Sequence, residues 1–119
     1  MSLIQARTTS INVYRGTSRD IRVEVLDERG DPYPVEHETP ILRVSRSWVD
    51  SESTFELEGV IVDGETGKIR FELEPYHTEE LVSRGYDFVI LLQTQYDEEW
   101  PVYIGRLGIE GVPAGGESG

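Results

Sequence analysis

Short segments in which apolar and polar residues alternate are the feature that most constrains the fold of this chain. They recur between residues 21 and 109 and are separated by turn dipeptides such as Asp63-Gly64. Successive side chains of a β-strand point to opposite faces of its sheet, so this alternation predicts sheets with one buried and one solvated face. Several such segments at regular spacing predict an all-β sandwich or barrel.

About seven strands are expected from this pattern. They are predicted at residues 11–14, 19–26, 41–47, 55–62, 68–73, 86–95 and 100–109. The segment Asp63-Gly64-Glu65-Thr66-Gly67, with its Asp-Gly pair, predicts an antiparallel hairpin between the fourth and fifth strands, and Gly59 predicts a bulge or bend within the fourth. The strand at 86–95 is apolar on both faces, so we expect it to be central in its sheet.

One short helical turn is predicted before the penultimate strand, with Thr78 as its N-cap. Tyr86 follows this turn at the start of a strand. In immunoglobulin-like sandwiches a tyrosine at the corresponding place bonds its hydroxyl to the upstream backbone, which is called a tyrosine corner. Here the acceptor is expected near Leu81 or Val82; the alternative is an ordinary strand aromatic. The predicted fold is an immunoglobulin-like antiparallel β-sandwich.

The length of 119 residues predicts a single domain, and the sequence contains no cysteine. The chain therefore has no disulfide, no thiolate nucleophile and no cysteine-ligated zinc. We expect an N-terminal arm at residues 1–10, the sandwich at 11–111 and a flexible Gly-rich tail at 112–119. No apolar segment reaches the roughly 18 to 20 residues that cross a bilayer, and we expect no secretory signal.

The chain is acidic, with 11 basic and 23 acidic residues and a formal net charge of −12. A field of this sign repels the phosphate backbone of nucleic acids and the surface of anionic membranes, so neither is an expected partner. The acidic excess has two interpretations that the sequence leaves open. One is solubility, and the other is docking onto a basic surface.

No catalytic, cofactor or metal site is expected, and the protein is predicted to be non-enzymatic. The two histidines, His37 and His77, lack the short spacing of zinc ligands. Asp27, Glu28 and Asp31 share one turn, but calcium requires about six to eight converging oxygens. Turn chemistry is sufficient to explain Asp27 and Asp31. The serines do not occur in a nucleophile motif.

Aromatic residues in predicted loops and strand ends are the candidate binding residues. Such side chains either form a platform for a sugar ring or, more often, lie at core edges and protein contacts. The predicted interface residues are Trp48, Trp100, Tyr33, Tyr96 and Tyr103.

The order of turns and strand starts resembles that of a known family. The motifs are Tyr14-Arg15-Gly16-Thr17, Asp27-Glu28-Arg29-Gly30-Asp31-Pro32, Asp63-Gly64-Glu65-Thr66-Gly67, Leu81 followed by Gly85-Tyr86-Asp87-Phe88, and Gly105-Arg106-Leu107-Gly108-Ile109. This order is similar to that of the small immunoglobulin-like β-sandwich proteins of tailed bacteriophages, including the N-terminal domain of baseplate upper proteins. The chain departs from that pattern at its start, Gly16-Thr17-Ser18, which lacks the usual Asp, and at the segment Pro32-Tyr33-Pro34-Val35.

The resemblance implies a non-enzymatic structural component of a virion, in the baseplate, head–tail connection, tail or capsid decoration. Its implied partners are other virion proteins and further copies of itself, bound through multivalent contacts. Its implied location is the virion, after synthesis in the cytoplasm of the bacterial host. The alternative function is a carbohydrate- or receptor-binding module that uses loop aromatics such as Trp48 and Trp100.

Overall fold

The computed structural model describes residues 5–7, 11–46 and 54–111, with the backbone alone for 5–7. These residues form nine strands and one helical turn. The elements are β1 Gln5–Arg7, β2 Ile11–Tyr14, β3 Arg19–Leu26, β4 Thr39–Ser45, β5 Phe55–Glu58, β6 Val60–Asp63, β7 Lys68–Leu73, α1 Pro75–Thr78, β8 Arg84–Gln93 and β9 Glu99–Glu110.

The strands form two sheets that pack face to face. One has four strands in the order β1-β3-β7-β6, and the other has five in the order β2-β9-β8-β4-β5. Among the described strands, β2 and β9 pair in parallel and the remaining pairs are antiparallel. The strand β8 lies in the middle of the five-stranded sheet, which confirms the prediction of a central strand. The fold class is confirmed as an all-β sandwich.

The core lies between the sheets and is built from the inward side of each alternating strand. In β4, for example, the buried residues are Pro40, Leu42 and Val44, and the residues between them are half-buried. Each large apolar side chain removed from water contributes about 1.5 to 3 kcal/mol. The largest fully buried side chains include Phe71, Leu42, Ile69, Leu73, Tyr86, Phe88, Ile90 and Leu92.

At Gly59 the chain crosses from one sheet to the other. The sequence predicted one strand at residues 55–62 with a bulge, but β5 pairs with β4 in the five-stranded sheet and β6 pairs with β7 in the four-stranded sheet. The Gly59 N–H donates to the carbonyl of Pro40 at 2.8 Å. A Cβ at Gly59 would lie 2.7 Å from Phe71 Cε1, so only glycine lets the chain pass this close to the core. The bend is therefore a change of sheet.

The predicted N-terminal arm contains a strand. Gln5–Arg7 pairs antiparallel with β3, with Ala6 opposite Val25. This pairing uses backbone hydrogen bonds along the open edge of β3, which require no alternation of apolar residues, and so the sequence pattern does not indicate it. The predicted tail at residues 112–119 lies outside the described residues.

The helical turn before β8 is present, but its N-cap differs from the prediction. Glu74 is the N-cap and Pro75 occupies the first helical position, where its missing N–H has no consequence. Thr78 is the last residue of α1 and is fully buried. Its Oγ1 accepts a hydrogen bond of 2.9 Å from the Gly16 N–H. Thr78 therefore fixes the turn between β2 and β3 against α1.

The tyrosine corner is confirmed. Tyr86 is 2% exposed, and its hydroxyl donates to the carbonyl of Val82 at 3.0 Å. The guanidinium of Arg84 lies 5.6 Å from the centre of the Tyr86 ring. These contacts attach the segment after α1 to the first residues of the central strand.

Replacing Tyr86 with phenylalanine should lower the free energy of unfolding by about 1 to 2 kcal/mol, because it removes this hydrogen bond and leaves the ring in place. Urea denaturation of the two proteins measures the difference. Tyr76→Phe is the matched control, because the Tyr76 side chain is 69% exposed and its loss of a hydroxyl should change little. Equal denaturation midpoints for the wild type and Tyr86→Phe would show that the corner does not stabilise the fold.

Candidate interaction surfaces

The predicted interface aromatics lie in different environments. Tyr33 and Tyr103 pack against the core, and Tyr103 stacks on Phe88 with ring centroids 5.8 Å apart. Trp100 is half-buried and pairs with Leu92 at the start of β9. Tyr96 is 77% exposed in the loop between β8 and β9. Trp48 lies outside the described residues, and the other four lie in the loop before β4, in the β8–β9 loop and on β9.

The polar groups considered for metal or catalysis have local structural roles. Asp27 Oδ1 accepts hydrogen bonds from the backbone N–H groups of Arg29 and Asp31, at 2.8 and 3.0 Å. His77 Nδ1 accepts from the Glu74 N–H at 2.9 Å, and the imidazole stacks on Phe55. Residues 5–7, 11–46 and 54–111 contain no cluster of three or more potential metal ligands.

Burial raises the pKa of Glu38 above its usual value, and the nearby His37 partly opposes this shift. Glu38 lies in the loop before β4, and its backbone N–H donates to the carbonyl of Val35 at 3.2 Å. Because the pKa of Glu38 is raised in the folded state, the ionised carboxylate lowers the stability of the fold at pH values above that pKa. This loss of stability disappears at lower pH, where Glu38 is protonated.

An apolar strip crosses the outer face of the five-stranded sheet. We define it as Ile41, Val89, Leu91 and Ile104. Strand register places Ile41 opposite Leu91 and Val89 opposite Ile104. Leu91 is buried although it is not part of the core cluster, whereas Ile104 is 59% exposed. Because β8 is flanked on both sides, its outward residues are covered by their neighbours, and exposure of apolar surface is concentrated on β9.

Charged side chains share this face with the apolar strip. Arg43 lies beside Val89, with its Nε 2.5 Å from Glu56 Oε2 on β5 and its Nη2 3.1 Å from Glu99 Oε2 on β9. Hydrogen bonds to Glu99 and then Glu56 raise the pKa of Arg43, which is fully charged at any physiological pH. Arg106 Nη1 lies 3.3 Å from Asp87 Oδ1, a carboxylate that is nearly buried.

These ion pairs are partly exposed, and such pairs contribute little to stability. Their consequence here is geometric: the Arg43–Glu99 pair spans β8 from β4 to β9, and the Arg106–Asp87 pair lies next to Val89 along β8. An apolar centre inside a polar rim is the usual arrangement of a protein–protein interface. The strip is therefore a candidate surface for contact with another protein.

A second feature, the basic depression, lies on the outer face of the four-stranded sheet. We define it by Arg22 of β3, Lys68 and Arg70 of β7, and Val62 of β6, which line a hollow of about 400 Å³ together with Glu24. Register places Arg22 directly opposite Arg70, and Glu24 opposite Lys68. The depression thus holds three cations and one carboxylate in a chain whose net charge is −12.

Sequence reasoning missed both surfaces. Alternation already indicates that Arg22, Arg70, Val89 and Ile104 point away from the core. It does not give the register between strands distant in sequence, and only the register brings Arg22 next to Arg70 and Val89 next to Ile104.

In residues 5–7, 11–46 and 54–111 no helix is long and apolar enough to cross a membrane.

No protein-family model and no curated protein matches the sequence. Solved structures do match the fold. The filamin domain of Lin-41 has a TM-score of 0.51 and 15% identity, with 90% of this chain and 91% of that chain covered. The endo-beta-1,4-mannanase from Thermotoga petrophila has a TM-score of 0.52 and 10% identity, with 94% of this chain covered.

This chain spans only 20% of the length of the mannanase. Fibronectin(III)-like modules of Clostridium thermocellum CbhA have a TM-score of 0.46 and 10% identity, with 93% of this chain and 100% of that chain covered. At identities of 10 to 15%, the matches to the filamin domain and the mannanase show similarity of fold alone and carry no information on activity. Together with the tyrosine corner and the sheet order, the match to the filamin domain shows that this chain has an immunoglobulin-like β-sandwich fold.

Proposed function

We propose that this chain is a non-enzymatic protein-interaction module that serves as a structural component of a tailed-bacteriophage virion. The observation that carries the interaction role is the apolar strip, with Ile104 exposed on β9 and ion pairs of Arg43 and Arg106 on the same face of the sheet. The engagement of Asp27 and His77 in backbone hydrogen bonds supports structural use of those polar groups.

The virion assignment rests on the turn motifs that resemble those of phage β-sandwich proteins. The partners proposed on this basis are other virion proteins and further copies of the chain, in the baseplate, head–tail connection, tail or capsid decoration. A module of this kind works through many weak contacts, because assembly at high local concentration makes each one effectively intramolecular. The proposed location is the assembled virion.

Replacing Ile104 with aspartate should prevent incorporation into the particle and leave the fold intact. The charge is placed in the exposed apolar part of the strip, where a partner would bury it, and a buried unpaired carboxylate is strongly disfavoured. In the free protein the side chain is 59% exposed, so the melting temperature should change little. The measurement is immunodetection of the chain in purified phage particles, made in cells that supply the remaining virion proteins.

Val82→Asp is the matched control, since Val82 is 60% exposed and lies away from the strip. It should be incorporated like the wild type. Absence of the wild-type chain from particles would contradict the virion role, and normal incorporation of Ile104→Asp would contradict the role of the strip. Binding of the isolated chain to glycans would instead support the alternative of a carbohydrate- or receptor-binding module.

A further inference from the structure

The basic depression is electrostatically unfavourable in the isolated chain. Arg22 and Arg70 are directly opposite on neighbouring antiparallel strands, a position in which like charges repel. Arg70 Nη2 is paired with Glu72 Oε2 at 2.8 Å, but Arg70 Nε is buried and has no hydrogen-bond acceptor within the described residues. Arg22 and Lys68 likewise have no ion-pair partner within the described residues. An anionic group placed in the depression would relieve this repulsion.

The depression also has an apolar wall. Val62, on the edge strand β6, is 57% exposed. The pairing of β6 with β7 shifts register between Ile61 and Asp63, which opens the surface beside Val62. A hollow of about 400 Å³ lies within the size range of ligand pockets. The occupant that fits is thus a segment with an apolar or aromatic side chain flanked by carboxylates.

The loop at residues 94–98 of the same chain has this composition. Tyr96 is 77% exposed and is followed by the exposed carboxylates of Asp97 and Glu98. The loop is held in one conformation by Thr94, whose Oγ1 accepts from the N–H groups of Tyr96 and Glu98, both at 3.2 Å. The Thr94 N–H donates to the Glu98 carbonyl at 2.8 Å. A pre-organised loop loses little entropy when it binds.

The loop and the depression belong to different sheets. The loop joins β8 to β9 in the five-stranded sheet, whereas the depression lies on the outer face of the four-stranded sheet. The two sheets pack on each other through their inner faces, so the depression opens on the outer face of the sheet that does not carry the loop. The complementary surface is available on a second copy.

We propose that the Tyr96 loop of one copy binds in the basic depression of a second copy. Tyr96 packs beside Val62, and the carboxylates of Asp97 and Glu98 pair with Arg22 and Lys68. The contact is head-to-tail, so it leaves a loop free at one end and a depression free at the other, and repetition makes a ring or a filament. This inference rests on the proposed role in an assembly and adds the partner and the contact.

The net charge of −12 on each copy does not prevent this contact. At about 0.15 M salt the Debye length is about 8 Å, so charges far from the contact are screened, while pairs inside it are not. Local complementarity of sign then decides which surfaces meet.

Charge-reversal variants test the proposal in solution. The measurement is sedimentation velocity of the purified full chain at rising concentration in about 0.15 M salt, where charges far from the contact are screened. The wild type should self-associate. Arg22→Glu reverses the depression and Glu98→Lys reverses the loop, and each alone should weaken association by about tenfold or more. An equal mixture of the two variants should associate again, because the unchanged loop of the first fits the unchanged depression of the second.

Arg29→Glu is the matched control, because Arg29 is an exposed arginine in the turn between β3 and β4 and should leave association unchanged. Melting temperatures establish that each variant is folded. A wild type that stays monomeric, an unaffected Arg22→Glu, or a mixture that does not associate would each overturn the proposal. So would binding of an acidic peptide in the depression without self-association. None of these results depends on incorporation into a particle, so the virion role can stand if this contact fails.

Discussion

Replacing Gly67 with alanine should lower the free energy of unfolding by about 3 to 4 kcal/mol. Gly67 ends the hairpin between β6 and β7 with φ of +71°, a conformation that costs a residue with a side chain about 1 to 2 kcal/mol. The added Cβ would also lie 2.5 Å from the Tyr33 carbonyl oxygen and 2.7 Å from the Val25 carbonyl oxygen. Both neighbours are backbone atoms, so neither can move alone.

The backbone around Gly67 is fixed by hydrogen bonds that the substitution would strain. The Val25 N–H donates to the Gly67 carbonyl at 2.8 Å, and the Tyr33 N–H donates to the Val25 carbonyl at 3.0 Å. Each of these bonds contributes about 1 kcal/mol, and separating their partners inside the fold costs at least that amount. A domain of this size has a total stability of about 5 to 15 kcal/mol, so the change is a large fraction of it.

Gly30→Ala separates the two causes. Gly30 also has a positive φ, of +87°, but a Cβ there would meet nothing within 4 Å. Its substitution should therefore show the conformational cost alone, about 1 to 2 kcal/mol. Urea denaturation of both variants gives the comparison. If Gly67→Ala is no more destabilised than Gly30→Ala, the close approach of the three backbone segments has no energetic consequence.

Local signals predicted those parts of the fold that depend on adjacent residues. The strand Arg19–Leu26 and the strand around Trp100 to Ile109 follow from alternation, and the hairpin at Asp63 follows from its Asp-Gly pair. The tyrosine corner at Tyr86 was predictable because its donor and acceptor are four residues apart. In each case the signal lies within about ten residues of sequence, although the strand Arg19–Leu26 makes its pairings with distant segments.

Features that depend on distant residues were not predictable in this way. Thr78 is a reasonable N-cap by composition, but its hydroxyl bonds the backbone of Gly16, 62 residues away. Pro75 at the first helical position was the available sign that the turn begins earlier. The edge strand Gln5–Arg7 depends on an open edge of β3, which no local pattern reveals.

The candidate surfaces also depend on residues that are distant in sequence, and local patterns did not predict them. The aromatic residues Tyr33 and Tyr103 are half-buried and pack against the core, and their role in contacts with another protein stays a prediction. The apolar strip and the basic depression are defined by register, since Val89 and Ile104 are 15 residues apart and Arg22 and Arg70 are 48 apart. Residue type indicates which side chains can bind, and strand pairing decides which of them act together.

The second large effect on stability is expected at Gly59, where the chain changes from one sheet to the other. Replacing Gly59 with alanine should lower the free energy of unfolding by about 1 to 3 kcal/mol, the usual cost of overfilling a packed core. The new Cβ would lie 2.7 and 2.9 Å from two ring carbons of Phe71, a side chain with no exposed surface. The backbone cannot retreat easily, because β5 is paired in one sheet, β6 is paired in the other and the Gly59 N–H is bonded to Pro40.

A double-mutant cycle with Phe71→Leu tests whether this contact is the cause. Leucine lacks the ring atoms that the alanine methyl would meet, so the double variant should be less destabilised than the sum of the single variants, by about 1 kcal/mol. Ile69→Val is the control, since it changes a core side chain of the same strand and keeps the Phe71 ring. Its effect should add to that of Gly59→Ala. Additive effects in both cycles would mean that Gly59 is needed for its backbone alone, and that the Phe71 ring does not require a glycine where the chain changes sheets.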